Sequence, residues 1–398
     1  MNLPSKQARI AVLNSHPIQY FAPLYAYLNN DPGLDITALY MSDFSLRGGR
    51  DKGFGQAVSW DVDLLSGYRS VFLGKQAKLR VPGGFFSLCV PEVWKEIRSG
   101  RYDALIIHGH NYLANLIALA AAKWIGIPIL VRGETHLGLT RPGWRRALRG
   151  PVMSLFYALC DRCLAIGTAN AAFYRAMGVP QDKIFLGPYS VDNDRFRAAA
   201  QAGQQRRQET RARYGIPADS PAILYAAKFT ARKHPEMVLQ AARRIRNLSS
   251  VPFSVVMCGA GEMEAQLKDY CRAHNLTNVV FTGFVNQADL PNLYAASDVF
   301  VLPSENEPWG LAVNEAMCAE LPIVLSREIG CVVDLVENEF NGFTPDAGDI
   351  EGYVVALKRL IEDDDLRHRQ GDRSAERISR WGYKEFQAGL RSALKDLI

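Results

Sequence analysis

The sequence predicts an α/β protein made of two parallel β-sheets, each wrapped by helices. Three observations carry this. Strand-like apolar runs alternate with helix-like periods along almost the whole chain, the pattern that joins parallel strands through crossover helices. The strands read as continuous apolar runs, as sheets covered on both faces require; residues 103–108 (DALIIH) and 298–302 (DVFVL) are examples. At 398 residues the chain is too long for one ordinary core, so two domains are the default.

Bulk composition narrows the class. Hydrophobic residues make up 48% and charged residues 22%, which places the chain among soluble globular proteins. A net charge of +5 is a mild excess that does not by itself indicate nucleic acid. Seven cysteines, an odd number and widely scattered, point to a reducing compartment without a disulfide framework. Cys160 and Cys163 have metal-site spacing, but no second pair or nearby histidine completes a site, so they read as packing residues. Residues 1–7 are polar and Arg9 precedes the first apolar run, so no secretory signal is expected. The longest apolar stretch, residues 112–122, stops at Lys123 and falls short of the roughly 20 residues of a membrane span. The expected location is cytoplasmic, at most peripheral on the inner face of a membrane.

Taken in order, residues 9–13 form a first strand, residues 23–29 open a helix, and residues 35–41 form a second strand. Between the first two lies the loop 15–21, with His16, Gln19 and Tyr20; His16 could also be purely structural. Residues 47–81, rich in Gly with isolated aromatics, are expected to be long irregular loops. The strand 103–108 ends in His108, with His110 two residues on; the pair resembles metal ligands, but a strand-end histidine lining a polar cleft is the simpler account. A helix follows over 112–124, then the strand 126–131 with its exit loop 132–136. Strands at 163–166 and 183–186 close the first sheet. Residues 198–213, rich in Ala, Gln and Arg without an apolar period, are taken as an interdomain connection ending in a short helix.

The second sheet opens at 222–227. Lys228 and Lys233 then bracket a strand-to-helix loop, and two compact cations on flexible stems suit a diphosphate. Strands at 255–258 and 279–282 follow, the first running into Gly259 and Gly261. The strand 298–302 empties into a polar loop carrying Glu305 and Glu307, and Pro308 and Gly310 precede a helix starting near Leu311. Glu315 falls one turn into that helix. Ligands of open α/β sheets bind at strand carboxyl ends, so both acids sit where a ligand would lie. The backbone N–H groups of Trp309, Gly310 and Leu311 form the helix start, a cradle for sugar or phosphate oxygens. The acids make sense as hydrogen-bond acceptors if the ligand carries hydroxyls as well as phosphate.

The order Pro303, Ser304, Glu307, Glu315-Ala316-Met317, then Leu321-Pro322-Ile323-Val324, closely resembles the signature of retaining glycosyltransferases of family 4 (glycosyltransferase group 1). The resemblance is strong over residues 224–343 and weaker before Tyr189. It implies the GT-B fold: two Rossmann-like parallel-sheet domains facing a cleft, with a C-terminal helix crossing back to the N-terminal domain. The implied division is an acceptor-side domain over 1–197, a linker over 198–216, a nucleotide-sugar domain over 217–380, and the returning helix over 381–398. Carried over, Glu307 contacts the donor sugar and Glu315 the nucleotide ribose. Lys228 and Lys233 neutralise the leaving diphosphate, and the main chain of Gly283 and Val285 meets the base. A family histidine near the reacting sugar maps to Glu134 by gapless counting, or to His136 two residues on, and the alternatives stay open. His16, Gln19, Tyr20 and His108 are acceptor-side candidates. Three departures stand out: Glu320 replaces a Gly, the loop 15–21 lacks the usual Gly pair, and Ala227-Lys228 replaces Gly-Arg.

The resemblance implies transfer of a sugar from a nucleotide-diphosphate sugar to a hydroxyl acceptor, in cell-surface polysaccharide or glycolipid assembly, with no metal or other cofactor. A sugar-nucleotide epimerase on the same fold and a non-catalytic nucleotide-binding subunit are the alternatives. Arg141, Arg145, Arg146 and Arg149 cluster around Trp144, followed by Leu148, Val152, Leu155 and Phe156 at helical spacing. This is either an ordinary surface helix or a basic amphipathic one for an anionic membrane bearing a lipid-linked acceptor. The base, the sugar and the acceptor are not legible.

Overall fold

A computed structural model describes residues 7–51, 55–57, 59–139 and 143–398. The chain divides into two compact units. The first comprises Met1–Gly49, Val62–Ser190 and Trp381–Ile398, and the second Arg50–Asp61 and Val191–Arg380.

The strands in chain order are β1 (Ala8–Asn14), β2 (Leu34–Tyr40), β3 (Arg50–Asp51), β4 (Gln56–Ala57), β5 (Arg69–Phe72), β6 (Ala104–His108), β7 (Ile129–Gly133), β8 (Arg162–Ala165), β9 (Ile184–Leu186), β10 (Ala222–Ala226), β11 (Ser254–Cys258), β12 (Val279–Gly283), β13 (Val299–Leu302), β14 (Ile323–Leu325) and β15 (Gly342–Phe343).

In the first unit the sheet order is β5-β2-β1-β6-β7-β8-β9, all parallel. Its central strands are buried on both faces, which is why they show no alternation: Ala104 to Ile107 are all interior. The helix Leu113–Ile125 stops where Gly126 takes a left-handed conformation (φ 77°) and its N–H returns to the Ala122 carbonyl. The last helix of the chain, Tyr383–Leu394, packs on this sheet at β8 and β9. Asp31, buried, fastens it: its Oδ2 accepts from Arg391 Nε at 2.7 Å and Gln387 Nε2 at 2.8 Å.

β5 corrects the reading of residues 47–81 as irregular throughout. Its sequence, RSVF, is only half-buried at the sheet edge, so it lacks a continuous apolar run.

In the second unit the order is β12-β11-β10-β13-β14-β15, again parallel. The stretch read as a connection is two helices, Asn193–Ala200 and Gly203–Tyr214. Asp192 caps the first, accepting from the Arg195 N–H at 3.1 Å. The second docks through charge rather than an apolar stripe. Arg211, buried, donates to the Pro217, Ala218, Ser220 and Ala296 carbonyls, and its Nη2 meets Asp298 Oδ2 at 2.5 Å. Arg207 holds the other oxygen of Asp298 at 2.6 Å. Hydrophobic periodicity could not reveal a helix held this way.

Residues 50–61, from the N-terminal half of the sequence, belong to this second unit. Asn286 Nδ2 donates to the Ser59 carbonyl at 2.7 Å, the Ala288 N–H to Asp61 Oδ1 at 3.0 Å, and Trp60 lies against Phe284 with ring centroids 6.1 Å apart.

Candidate functional site

In the second unit the candidate residues gather at the carboxyl ends of β10, β12 and β13. After β10 the chain passes through Lys228 into a single turn, Ala231–Lys233, and then the helix Pro235–Leu248. The exit of β11 is what holds this loop. A Cβ on Gly259 would lie 2.1 Å from the Ala227 carbonyl oxygen, and one on Gly261 2.5 Å from that of Phe229. Only glycine lets the two backbones approach so closely; the Phe229 N–H then donates to the Ala260 carbonyl at 3.0 Å. The Gly-x-Gly is thus a packing device under the Lys228 loop.

The loop after β13 is laced to the same turn. The Glu305 N–H donates to the Arg232 carbonyl at 3.0 Å, and Arg232 Nη1 to the Asn306 carbonyl at 2.8 Å. Lys233 Nζ pairs with Glu307 Oε2, which also accepts from Ser304 Oγ at 3.3 Å and faces Arg232 Nη1 at 3.5 Å. The two partners are each 13% exposed by side chain. Burial pulls the Lys233 ammonium below its ordinary value, Glu307 opposes that, and the cations of Arg232 and Lys228 add to it. Lys228 lies five positions earlier in the same strand-to-helix segment.

Beyond Glu307 the chain turns at Gly310 (φ 95°) into the helix Leu311–Cys318, whose first turn has no side-chain cap. The Val313 N–H returns to the Gly310 carbonyl at 2.8 Å, and a helix start of this kind presents its earlier N–H groups to a ligand or water. Trp309 is buried and its indole donates to Asn314 Oδ1 at 2.9 Å, so its ring is structural. Glu315 is only 1% exposed, and its Oε2 accepts from the Tyr294 hydroxyl at 2.8 Å. Gly283 takes φ 69° at the end of β12 with open space where a Cβ would be, and Val285 is buried two residues on.

In the first unit a separate group forms at the exits of β1, β6 and β7. His108 accepts or donates at Nε2 to the Tyr25 hydroxyl at 3.2 Å, and the Phe21 ring lies 4.6 Å away between centroids. Burial, and then the Arg132 cation, hold its imidazole well below the ordinary range, so it is uncharged at neutral pH. Glu134 Oε1 accepts from the Tyr189 hydroxyl at 2.7 Å. His136 is buried, with Nδ1 accepting from the Gly138 N–H at 3.1 Å. His16 Nδ1 is 2.9 Å from Ser15 Oγ and the ring meets Phe44 edge-on, while Gln19 and Tyr20 are half-buried before the helix Ala22–Asn29. His108 and Glu134 are thereby joined through Phe21, Tyr189 and Arg132, whereas His16 packs on Phe44.

Sequence reasoning missed Arg132, Tyr294 and His234. The Arg132 guanidinium is 2% exposed and stacks over Tyr189 (4.6 Å), Phe21 (5.0 Å) and Phe386 (5.4 Å), with neither Nε nor Nη2 bonded to an acceptor. Its only sequence signal was a cation ending an apolar strand. Among the described residues no three His, Cys, Asp or Glu side chains are grouped to hold a metal ion, and His110 instead lies 3.4 Å from the Tyr157 hydroxyl. Cys160 and Cys163 are buried free thiols, and burial pushes Cys163 up to about 12.

Comparison with known proteins agrees with the fold. A glycosyltransferase from Rickettsia africae ESF-5 superposes with a TM-score of 0.74 at 14% identity, covering 99% of both chains. Anabaena Alr3699/HepE, solved with UDP and glucose, gives 0.72 at 16% identity, covering 98% of this chain and 99% of that one. These two parallel sheets are the GT-B class. In sequence, residues 206–377 match the family described as glycosyl transferases group 1, and residues 40–189 a glycosyl transferase 4-like domain. The UDP-Gal:alpha-D-GlcNAc-diphosphoundecaprenol alpha-1,3-galactosyltransferase of Escherichia coli is 30% identical over 68% of this chain and 69% of its own length. A D-inositol 3-phosphate glycosyltransferase of Xylanimonas cellulosilytica is 30% identical over 73% and 71%. The chain belongs to the group 1 (family 4) glycosyltransferases.

Proposed function

We propose that this glycosyltransferase takes a sugar from a nucleotide-diphosphate sugar and transfers it, with retention of anomeric configuration, to a hydroxyl on a carbohydrate or lipid-linked acceptor. The observation that carries the reading is the Lys233–Glu307 pair, largely withdrawn from solvent beside Ser304 and flanked by the uncapped helix start at Gly310. A cation held there by a carboxylate can stabilise charge growing on a leaving diphosphate without moving. Lys228 adds a second cation to the same turn. Glu307, an acceptor at both oxygens, is the partner proposed for a sugar hydroxyl, and the Gly310 and Leu311 N–H groups those for sugar or phosphate oxygens. Glu315 holds the ribose, and Gly283 and Val285 the base.

In the reaction the bond from the anomeric carbon to the leaving phosphate oxygen breaks. A bond from the same face to the acceptor oxygen forms, and the acceptor proton passes to the leaving phosphate. On this reading the role beside the reacting sugar falls to Glu134 or His136, and contacts to the acceptor to His16, Gln19, Tyr20 and His108. No resident metal is needed, because Lys228 and Lys233 supply the positive charge. Two relatives support the substrate class: the Escherichia coli enzyme is named for a UDP-sugar donor and a diphosphoundecaprenol-linked acceptor, and the Anabaena structure holds UDP and glucose.

An inner-face membrane location in polysaccharide or glycolipid assembly follows from such an acceptor. Arg141 and the side chains of Arg145, Arg146 and Arg149 lie outside the described residues. Further along the helix Gly143–Ala158, Val152 and Leu155 are 68% and 63% exposed, an apolar face suited to a bilayer surface. Among the described residues no helix is long and apolar enough to cross a membrane.

The test is incubation of the purified protein with a panel of radiolabelled nucleotide sugars, with and without lipid-linked and free sugar acceptors. Transfer or slow hydrolysis is expected, and a loss of about a hundredfold in kcat/KM for Lys233→Ala and for Glu307→Ala. Wild-type turnover in both variants would refute the assignment of the site.

A further inference from the structure

We propose that His234 is a positioning residue of the donor site: bridging Glu236 and Glu305, its ring fixes the loop that carries Glu307. The inference rests on the donor reading of Lys233 and Glu307.

His234 lies between the turn that ends in Lys233 and the helix Pro235–Leu248, in a left-handed backbone conformation (φ 45°, ψ 48°) that favours glycine. Across from it Asn306, in the loop after β13, is also left-handed (φ 53°). Two such residues on facing segments mark a place where surrounding contacts override backbone preference, and those places cluster at functional sites. Here the contacts are identifiable. His234 Nδ1 is 3.1 Å from Glu236 Oε1, on its own helix, and Nε2 is bonded to Glu305 Oε1, on the loop. The ring is partly enclosed, with 22% of the side chain exposed.

The chemistry of the bridge is asymmetric. Ionised carboxylates only accept, so a ring bonded to one on each side must donate from both nitrogens. Only the imidazolium has two N–H groups. A neutral ring turns a lone pair toward one carboxylate, and the bridge opens on that side. The ring's carboxylate partners are Glu236 from the helix and Glu305 from the loop, while Arg232 and Lys233 from the turn face Glu307 from the same loop. The loop is otherwise held to the turn by the Arg232 contacts and by the Lys233–Glu307 pair itself. Glu305 and Glu307 are two residues apart, so releasing one lets the other shift. His234 therefore ties the placing of Glu307 to the helix Pro235–Leu248.

The experiment measures the Kd of UDP-glucose, GDP-mannose and ADP-glucose for wild type, His234→Gly, Glu305→Gln and Lys233→Ala, and follows the tightest binder. Glycine adopts the left-handed backbone freely, so His234→Gly is expected to melt no lower than wild type while removing the ring. Its donor Kd should rise about tenfold at neutral pH, the size of one lost charge-assisted bond. Glu305→Gln, which keeps an acceptor oxygen toward the ring, should weaken binding less than His234→Gly. Wild-type Kd in His234→Gly, or a larger loss in Glu305→Gln than in His234→Gly, overturns the proposal. Lys233→Ala separates the two readings. If it binds like wild type, or if no donor binds wild type, the donor site is wrong and this inference falls with it. If it binds poorly while His234→Gly does not, only the role of His234 is wrong.

Discussion

Tyr294 donates its hydroxyl proton to Oε2 of Glu315 at 2.8 Å, and both side chains are buried. The acid proposed to hold a ribose is thus an interior carboxylate held from behind by a phenol. Glu315→Gln keeps the shape and can still accept from Tyr294, so its fold should persist, with nucleotide affinity reduced about tenfold. Tyr294→Phe should move affinity less than Glu315→Gln but cost about 1–3 kcal/mol of stability, since it leaves a buried oxygen short of a donor. Calorimetric titration with nucleoside diphosphates and denaturant unfolding separate the two effects. Unchanged affinity in Glu315→Gln would remove this residue from the site.

Gly261→Ala is expected to act at a distance. Its methyl would stand 2.5 Å from the Phe229 carbonyl oxygen, forcing the Lys228 loop outward. A destabilisation of about 2–4 kcal/mol is expected, with donor affinity weakened although the residue carries no functional group. Denaturant unfolding with and without nucleotide would show it; wild-type stability would mean the loop yields without cost.

The Asp31–Arg391 contact makes stability depend on pH. Hydrogen bonding to Arg391, helped by the Gly33 N–H and Gln387, holds the Asp31 carboxyl below its ordinary value. A carboxyl with a lowered folded pKa stabilises the protein fully above its unfolded pKa, and that contribution is lost as pH falls through the folded one. Asp31→Asn should therefore lower stability by about 1–3 kcal/mol near pH 7, a gap that closes as pH falls below the ordinary carboxyl range. Urea unfolding at the two pH values reads it; a gap that persists at low pH would assign the loss to packing.

Val152→Asp with Leu155→Asp should leave melting and donor affinity unchanged, because both positions are exposed. Sedimentation with anionic and neutral vesicles should then show about tenfold weaker attachment to anionic vesicles than wild type. Equal attachment of wild type to neutral and anionic vesicles would exclude the electrostatic part.

The extent to which the chain could be read from its sequence follows from where its interactions lie. β6 and β13 were legible because strands buried on both faces leave continuous apolar runs. β5 was not, since a half-buried edge strand imposes no such run, and the helix Gly203–Tyr214 was legible only as a short helix closing a connection, since Arg207 and Arg211 on Asp298 replace an apolar stripe. In the candidate site, spacing singled out Lys233 and Glu307, and the fold brings them together. Tyr294 behind Glu315 and the ring of His234 between two acids depend on contacts distant in sequence, which no local pattern encodes.

The membership of residues 50–61 in the second unit bears on how this enzyme can be cut. A fragment starting at Val191 would lack Ser59, Trp60 and Asp61, stripping Phe284 of its aromatic neighbour and leaving the Asn286 amide and the Ala288 N–H without their acceptors. A recombinant C-terminal half therefore needs this strap grafted on through a flexible tether to reproduce the surface of the intact chain.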